Sequence, residues 1–169
     1  SKKRDLRVPK ALLTDNISDV LNDPNIHILV EVVGGIHPAK EIIERALSLG
    51  KHVVTANKAL LAEHGTALLK TAGRHGRKLR FEASVCGGIP IIKSLREGLV
   101  SNEISQFLGI VNGTCNFILT SMSEKALGFR QALAEAQKLG YAEKNPAFDV
   151  EGIDSAHKLS ILAGLAFRS

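Results

Sequence analysis

From Asn25 to Val33 the chain reads Asn-Ile-His-Ile-Leu-Val-Glu-Val-Val, a nearly continuous β-branched run that stops at Gly34-Gly35. A run without polar alternation predicts a strand buried on both faces of a parallel sheet. Behind Pro38 the period changes. Ala39, Ile42, Ile43, Ala46 and Leu47 recur at helical spacing, and Gly50 offers the left-handed residue that ends a helix. A second strand follows over His52-Val53-Val54-Thr55-Ala56, then an amphipathic helix through Leu61, Leu68, Leu69 and Ala72, then a third strand over Leu79-Arg80-Phe81-Glu82-Ala83. This βαβαβ order predicts half of a doubly wound α/β fold with a Rossmann-type parallel sheet, because right-handed crossovers lay successive strands side by side. Ligands of such sheets collect at the carboxyl ends of the strands, where Gly34, Gly35, Asn57 and Lys58 fall.

Beyond Glu82 the texture changes to Cys86-Gly87-Gly88-Ile89-Pro90, a helix, and the run Phe107-Leu108-Gly109-Ile110-Val111-Asn112-Gly113, which places a domain change near there. A helix through Phe129, Ala132, Leu133 and Ala136 should end at Gly140, and an acidic loop should feed a last helix from about Val150. Arg7 to Asp23 reads as a connection entering a later strand. No G-x-G-x-x-G loop precedes it, so the chain is expected to start partway through a nucleotide domain.

The 169 residues carry a formal net charge of +5, but Lys and Arg are scattered among acids and aromatics are scarce, which argues against a nucleic-acid surface. No stretch approaches the ~18 to 20 apolar residues of a membrane span, and the basic start Ser1-Lys2-Lys3-Arg4 leads into no signal-peptide core, so a cytoplasmic protein is expected. Cys86 and Cys115 form no C-x-x-C pair and are read as reduced. The six histidines show no transition-metal spacing.

Asp154 and Lys158 lie four apart, which ordinarily makes a solvent-facing pair. Continuing their stripe gives Ile161, Leu162 and Leu165, so the charges sit on the apolar face, where a partner or a task is needed. Upstream, Asp149 suits a cap and Glu151 a dipole-complementing charge. Glu143 stands in the turn Gly140-Tyr141-Ala142-Glu143-Lys144-Asn145-Pro146, which could present a carboxylate to a cation. Glu82, followed by glycines whose carbonyls can turn inward, could belong to an oxygen cage for a hard cation or be a satisfied structural anion.

Five segments, in order, resemble homoserine dehydrogenase: Glu31-Val32-Val33-Gly34-Gly35, Thr55-Ala56-Asn57-Lys58, Glu82 through Pro90, Asn112-Gly113-Thr114-Cys115-Asn116, and Gly140 through Lys158 with its Asp149-x-x-x-x-Asp154-x-x-x-Lys158 spacing. The resemblance implies that residues 1–83 are the later part of an NAD(P)-binding domain and 84–169 an α+β catalytic and dimerisation region. It implies interconversion of L-aspartate 4-semialdehyde and L-homoserine with NAD or NADP, in threonine, methionine and isoleucine biosynthesis. Lys158 would exchange the proton at the reacting oxygen, Glu143 and Asp154 would hold the substrate ammonium, and Asp149 would shape the site. Lys58 would lie near the nicotinamide, with Gly34, Gly140 and Glu143 lining the cofactor. Glu82 with the carbonyls of Val85, Gly87 and Ile89 resembles the family's sodium site, where Cys86 replaces an expected small residue. A homodimer, sometimes fused to an aspartate kinase, is the implied assembly. The resemblance leaves this piece without the pyrophosphate cradle, so on its own it is expected to bind NAD(P) weakly and to be inactive. The competing readings are another NAD(P)-dependent oxidoreductase, which would not need the Glu143-to-Lys158 spacing, and a non-catalytic dimerisation or regulatory module.

Overall fold

A computed structural model describes residues 8–167; the basic start Ser1-Lys2-Lys3-Arg4 lies outside them. The expected connection before the first strand contains a short helix, α1 (Ile17–Asn22), capped by Asn16, whose side chain accepts from the Ser18 amide at 3.1 Å. Then come β1 (Ile28–Glu31), α2 (Ala39–Ser48), β2 (His52–Thr55), α3 (Lys58–Arg74) and β3 (Leu79–Arg80). The strands are parallel in the order β1-β2-β3, with Ile28 opposite His52 and Val53 opposite Leu79. That is the βαβαβ unit the periodicities predict. Gly50, at φ +82°, follows α2 and turns the chain toward β2, a conformation that spares glycine the Cβ clash other residues meet.

The expectation that β1 is buried on both faces does not hold. Leu29 and Glu31 point inward, while Ile28 and Val30 are exposed. Helices α2 and α3 supply the inward layer through Ile43, Leu47, Leu60 and Leu68, and no described element covers the other face. A continuous β-branched run reports what two faces would tolerate, not what this chain places against them.

After a turn at Glu82–Ser84 the chain is helical: α4 (Ile91–Lys93) widening into a turn over Ser94–Gly98, α5 (Gly113–Lys125), α6 (Phe129–Lys138), α7 (Ala147–Val150) and α8 (Ile153–Ala166). Among the described residues no strand follows β3. Among the described residues the run from Phe107 to Val111 pairs with no strand, and Leu108 and Ile110 stand exposed. Helix α8 returns to the first half: Ile161 and Leu162 join the core beneath the sheet, against α3. A smaller core joins Ile118 of α5 to Ala132 and Ala136 of α6.

Candidate functional site

The carboxyl ends of β1 and β2 are built around a buried carboxylate. Glu31, 2% exposed, accepts the Thr55 hydroxyl at 2.5 Å and the amides of Val33 and Gly34 at 2.8 and 3.1 Å, which folds the glycine turn back over the strand. Gly34 has φ +80° and no atom within 4 Å of where a Cβ would stand, so the turn is an open cradle. Asn57 ties this turn to the next helix. Its side-chain amide donates to the Gly35 carbonyl at 2.6 Å, while its oxygen accepts from the Leu60 amide at 3.2 Å as the cap of α3. Lys58, the first residue of α3, is thereby aimed out of the sheet edge.

It meets Asp154, in the first turn of α8. The left-handed Gly152, at φ +78°, turns the chain from α7 into that helix. Asp154 is 4% exposed and engages both lysines: Lys58 through one oxygen, and Lys158 through the other at 2.7 Å. Lys158 also donates to the Val111 carbonyl at 2.6 Å. Asn112 completes the cluster, its side-chain amide reaching Asp154 at 2.9 Å and Asp149 at 2.8 Å while its oxygen caps α5 at the Cys115 amide, 2.8 Å away. Burial by itself would raise the Asp154 pKa. The hydrogen bonds from Lys158, Lys58 and Asn112, with the Lys58 charge, outweigh it and hold the carboxyl at about 2. Burial and the charges of Asp149 and Asp154 push the Cys115 thiol up, away from the reactive thiolate, and both cysteines are free.

Lys58, Lys158, Asp154 and, through Asn112, Asp149 are thus brought together. Glu143 is not drawn into the cluster. It is exposed, and its carboxylate has no described hydrogen-bond or ion-pair partner; the Gln137 side chain instead reaches its carbonyl at 3.0 Å. The turn that carries it is anchored by the Thr114 hydroxyl on the Tyr141 carbonyl at 2.6 Å, after the exposed, left-handed Gly140. Glu82 uses its carboxylate on the amides of Ile92 and Lys93, both at 2.9 Å, and the Ile89 carbonyl accepts from the Ile91 amide at 2.8 Å. Sequence reasoning gave no role to Asn112, Glu31 or Phe148, whose ring face lies 5.1 Å from the Lys58 ammonium. Asn112 carried a signal, an amide side chain just before a helix, but its tie to two carboxylates 37 and 42 residues on is tertiary.

A parallel α/β unit with an open glycine turn, joined to helices that set two lysines on a buried aspartate, defines part of a doubly wound α/β protein of the kind whose ligands gather at the strands' carboxyl ends. Residues 1–82 match the profile described as homoserine dehydrogenase, NAD binding domain, and residues 90–169 the profile described as homoserine dehydrogenase. The chain belongs to the homoserine dehydrogenase family. It is 49% identical over 166 residues to homoserine dehydrogenase of Bacillus subtilis (strain 168), covering 98% of this chain and 38% of that protein. It superposes on a homoserine dehydrogenase from Thiobacillus denitrificans with a TM-score of 0.85 and 54% identity, covering 92% of this chain and 36% of the other. A hyperthermophilic archaeal homoserine dehydrogenase, solved in complex with NADPH, matches with a TM-score of 0.81 and 33% identity, over 91% of this chain and 48% of the other. The chain therefore spans about two-fifths of the length of its curated relatives. No described helix is long and apolar enough to cross a membrane.

Proposed function

We propose that the protein to which this chain belongs interconverts L-aspartate 4-semialdehyde and L-homoserine with NAD(P)H, and that Lys158 exchanges the proton at the reacting oxygen. The observation that carries this reading is the convergence of Lys58, Lys158 and Asn112 on the buried Asp154. A bound nicotinamide supplies or accepts the hydride. The open Gly34 turn suits such a group, since a backbone without side chain permits close approach, and the NADPH bound to the archaeal relative is consistent with it.

When hydride reaches an aldehyde, negative charge gathers on its oxygen. Lys158, held between the Asp154 carboxylate and the Val111 carbonyl, donates two ammonium protons there and has a third to direct at that oxygen. In the reverse direction the lysine enters as the neutral amine, takes the alcohol proton as hydride departs, and leaves as the ammonium. Asp154, an anion at any working pH, and the unpartnered Glu143 hold the substrate's ammonium, while Asp149 acts on Asp154 through Asn112. Lys58, Gly34, Gly140 and Glu143 would line the cofactor. A sodium ion near residues 82–89 would be held by Glu82 with the carbonyls of Val85, Gly87 and Ile89, oxygens suited to a hard cation. The Glu82 carboxylate also accepts the amides of Ile92 and Lys93, which fixes the loop against α4. A homodimer belongs to the same reading, supported by the exposed Leu108 and Ile110 in an extended run.

The test is homoserine-dependent reduction of NAD(P) by the full-length protein beside its Lys158→Ala variant. A loss of kcat/KM of about a hundredfold or more is expected. A fully active variant removes the proton-transfer role, and an inactive parent removes the reaction.

A further inference from the structure

Between Glu63 and Glu82 the chain carries Lys70, Arg74, Arg77, Lys78 and Arg80 and no acid. The fold gathers part of this charge in one place. A hollow of about 250 Å³ lies where the last turn of α3 meets β3; Arg77, Lys78 and Arg80 line it, Arg96 from the turn after α4 joins them, and Leu69 and Leu79 contribute an apolar wall. Among the described residues no acidic side chain lines it.

The protein itself uses little of this charge. At the end of α3 the carbonyls of Thr71, Ala72 and Gly73 already accept the amides of His75, Arg77 and Gly76, so the helix terminus needs no cation. Among the described residues Arg77, Lys78 and Arg96 have no carboxylate partner, and Arg80 has Glu97 at 3.5 Å, with both side chains about half exposed. Arg96 is the fixed member of the group. Its guanidinium stands over the Phe81 ring, 5.8 Å from the centroid, and its Nη1 is buried with no hydrogen-bond partner. The hollow is no wider than the ~8 Å over which physiological salt screens a charge, so the four cations repel one another and an anion between them is attracted by all.

We propose that this hollow is a second ligand site, which takes a small phosphate dianion. Guanidinium forks match the oxygens of such an anion in paired hydrogen bonds, and the Lys78 ammonium adds a point charge. The hollow lies at the opposite end of α3 from Lys58, and this 17-residue helix is roughly 25 Å long. It also lies at the amino end of β3, away from the glycine turn at the carboxyl ends of β1 and β2. The site is therefore separate from the Lys58–Asp154 cluster and does not depend on the reaction proposed for it.

The test is calorimetric titration of inorganic phosphate into the full-length protein with saturating NADPH present, so that phosphate cannot report on the cofactor's own position. Sodium chloride at equal ionic strength is the control. Binding in the millimolar range or tighter is expected, weakened about tenfold in Arg96→Met and in the double variant Arg77→Gln/Lys78→Gln. Lys138→Gln, which alters an exposed lysine on α6, should bind phosphate as the parent does. Thermal melting checks that each variant is folded, and the double variant changes exposed side chains alone. No heat beyond the chloride control, binding abolished by NADPH, undiminished affinity in the folded double variant, or an equal loss in Lys138→Gln overturns the site.

Discussion

Replacing Asp154 by Asn removes the charge on which two lysines and an amide converge and keeps the side chain's shape. The folded-state pKa of about 2 lies below the ordinary value of 3.8, a gap equivalent to about 2 kcal/mol of preference for the ionised form in the folded state. Because the folded value is the lower one, this stability is fully present above about pH 5 and is lost as pH falls through 3.8 toward 2. At the acid end the protonated carboxyl and the Asn amide are both neutral, so the two proteins should differ least there. Urea denaturation of the chain and of Asp154→Asn at half-unit steps from pH 2 to 7 reads the difference directly, and other titrating carboxylates largely cancel between the two. The gap should widen by about 2 kcal/mol between pH 2 and 5 and stay flat above. A gap independent of pH would refute the claim that Lys58, Lys158 and Asn112 overcome the burial of Asp154.

Asn112→Ala removes both the cap of α5 and a donor shared by two carboxylates, and should lower the stability of the chain by about 2 to 4 kcal/mol in the same denaturation assay. Glu31→Ala should lower it by a comparable ~2 to 4 kcal/mol, because the Thr55 hydroxyl and the Gly34 amide lose a buried acceptor, and should weaken NAD(P) binding by the full-length protein in a fluorescence titration. Cys86 adopts φ +58°, so Cys86→Gly relieves backbone strain against the extra freedom glycine gains when unfolded, and the melting temperature should stay within a few degrees or rise.

The first strand is legible as a β-branched run that stops at Gly34, and α2 and α3 because their apolar positions keep one helical period, α2 closing at Gly50. Helix α5 is not, since its buried positions are Thr114, Ile118 and Ser121, and two hydroxyls out of three leave no apolar stripe to detect. The charged pair on α8 is legible as an anomaly: a stripe running from Asp154 and Lys158 into Ile161 and Leu162 signals carboxylate and lysine turned toward protein. Its partners are another matter. Nothing local in Thr55-Ala56-Asn57-Lys58 indicates that Lys58 will reach a carboxylate on α8, because that contact exists only once α8 has packed on α3. Glu82 shows the converse. Its place at a strand end before glycines suggests a cation cage from local sequence, while the two amides its carboxylate accepts come from the helix that starts at Ile91, a contact the local sequence does not announce.

That order of dependence separates what lies between α3 and α8 from what holds them together. Removing two lysines and an aspartate from water offsets much of their mutual attraction, so the ion pairs are not the main force that docks α8 on α3. The holding is apolar. Leu60, Leu61 and Leu68 of α3 share one core with Ile161 and Leu162 of α8, and each buried side chain of this size contributes roughly 1.5 to 3 kcal/mol. Breaking the Lys58 ion pair therefore leaves α3 and α8 docked, with the Lys158 and Asn112 contacts to Asp154 intact. The carboxylate thus stays placed and charged when one of its partners is removed.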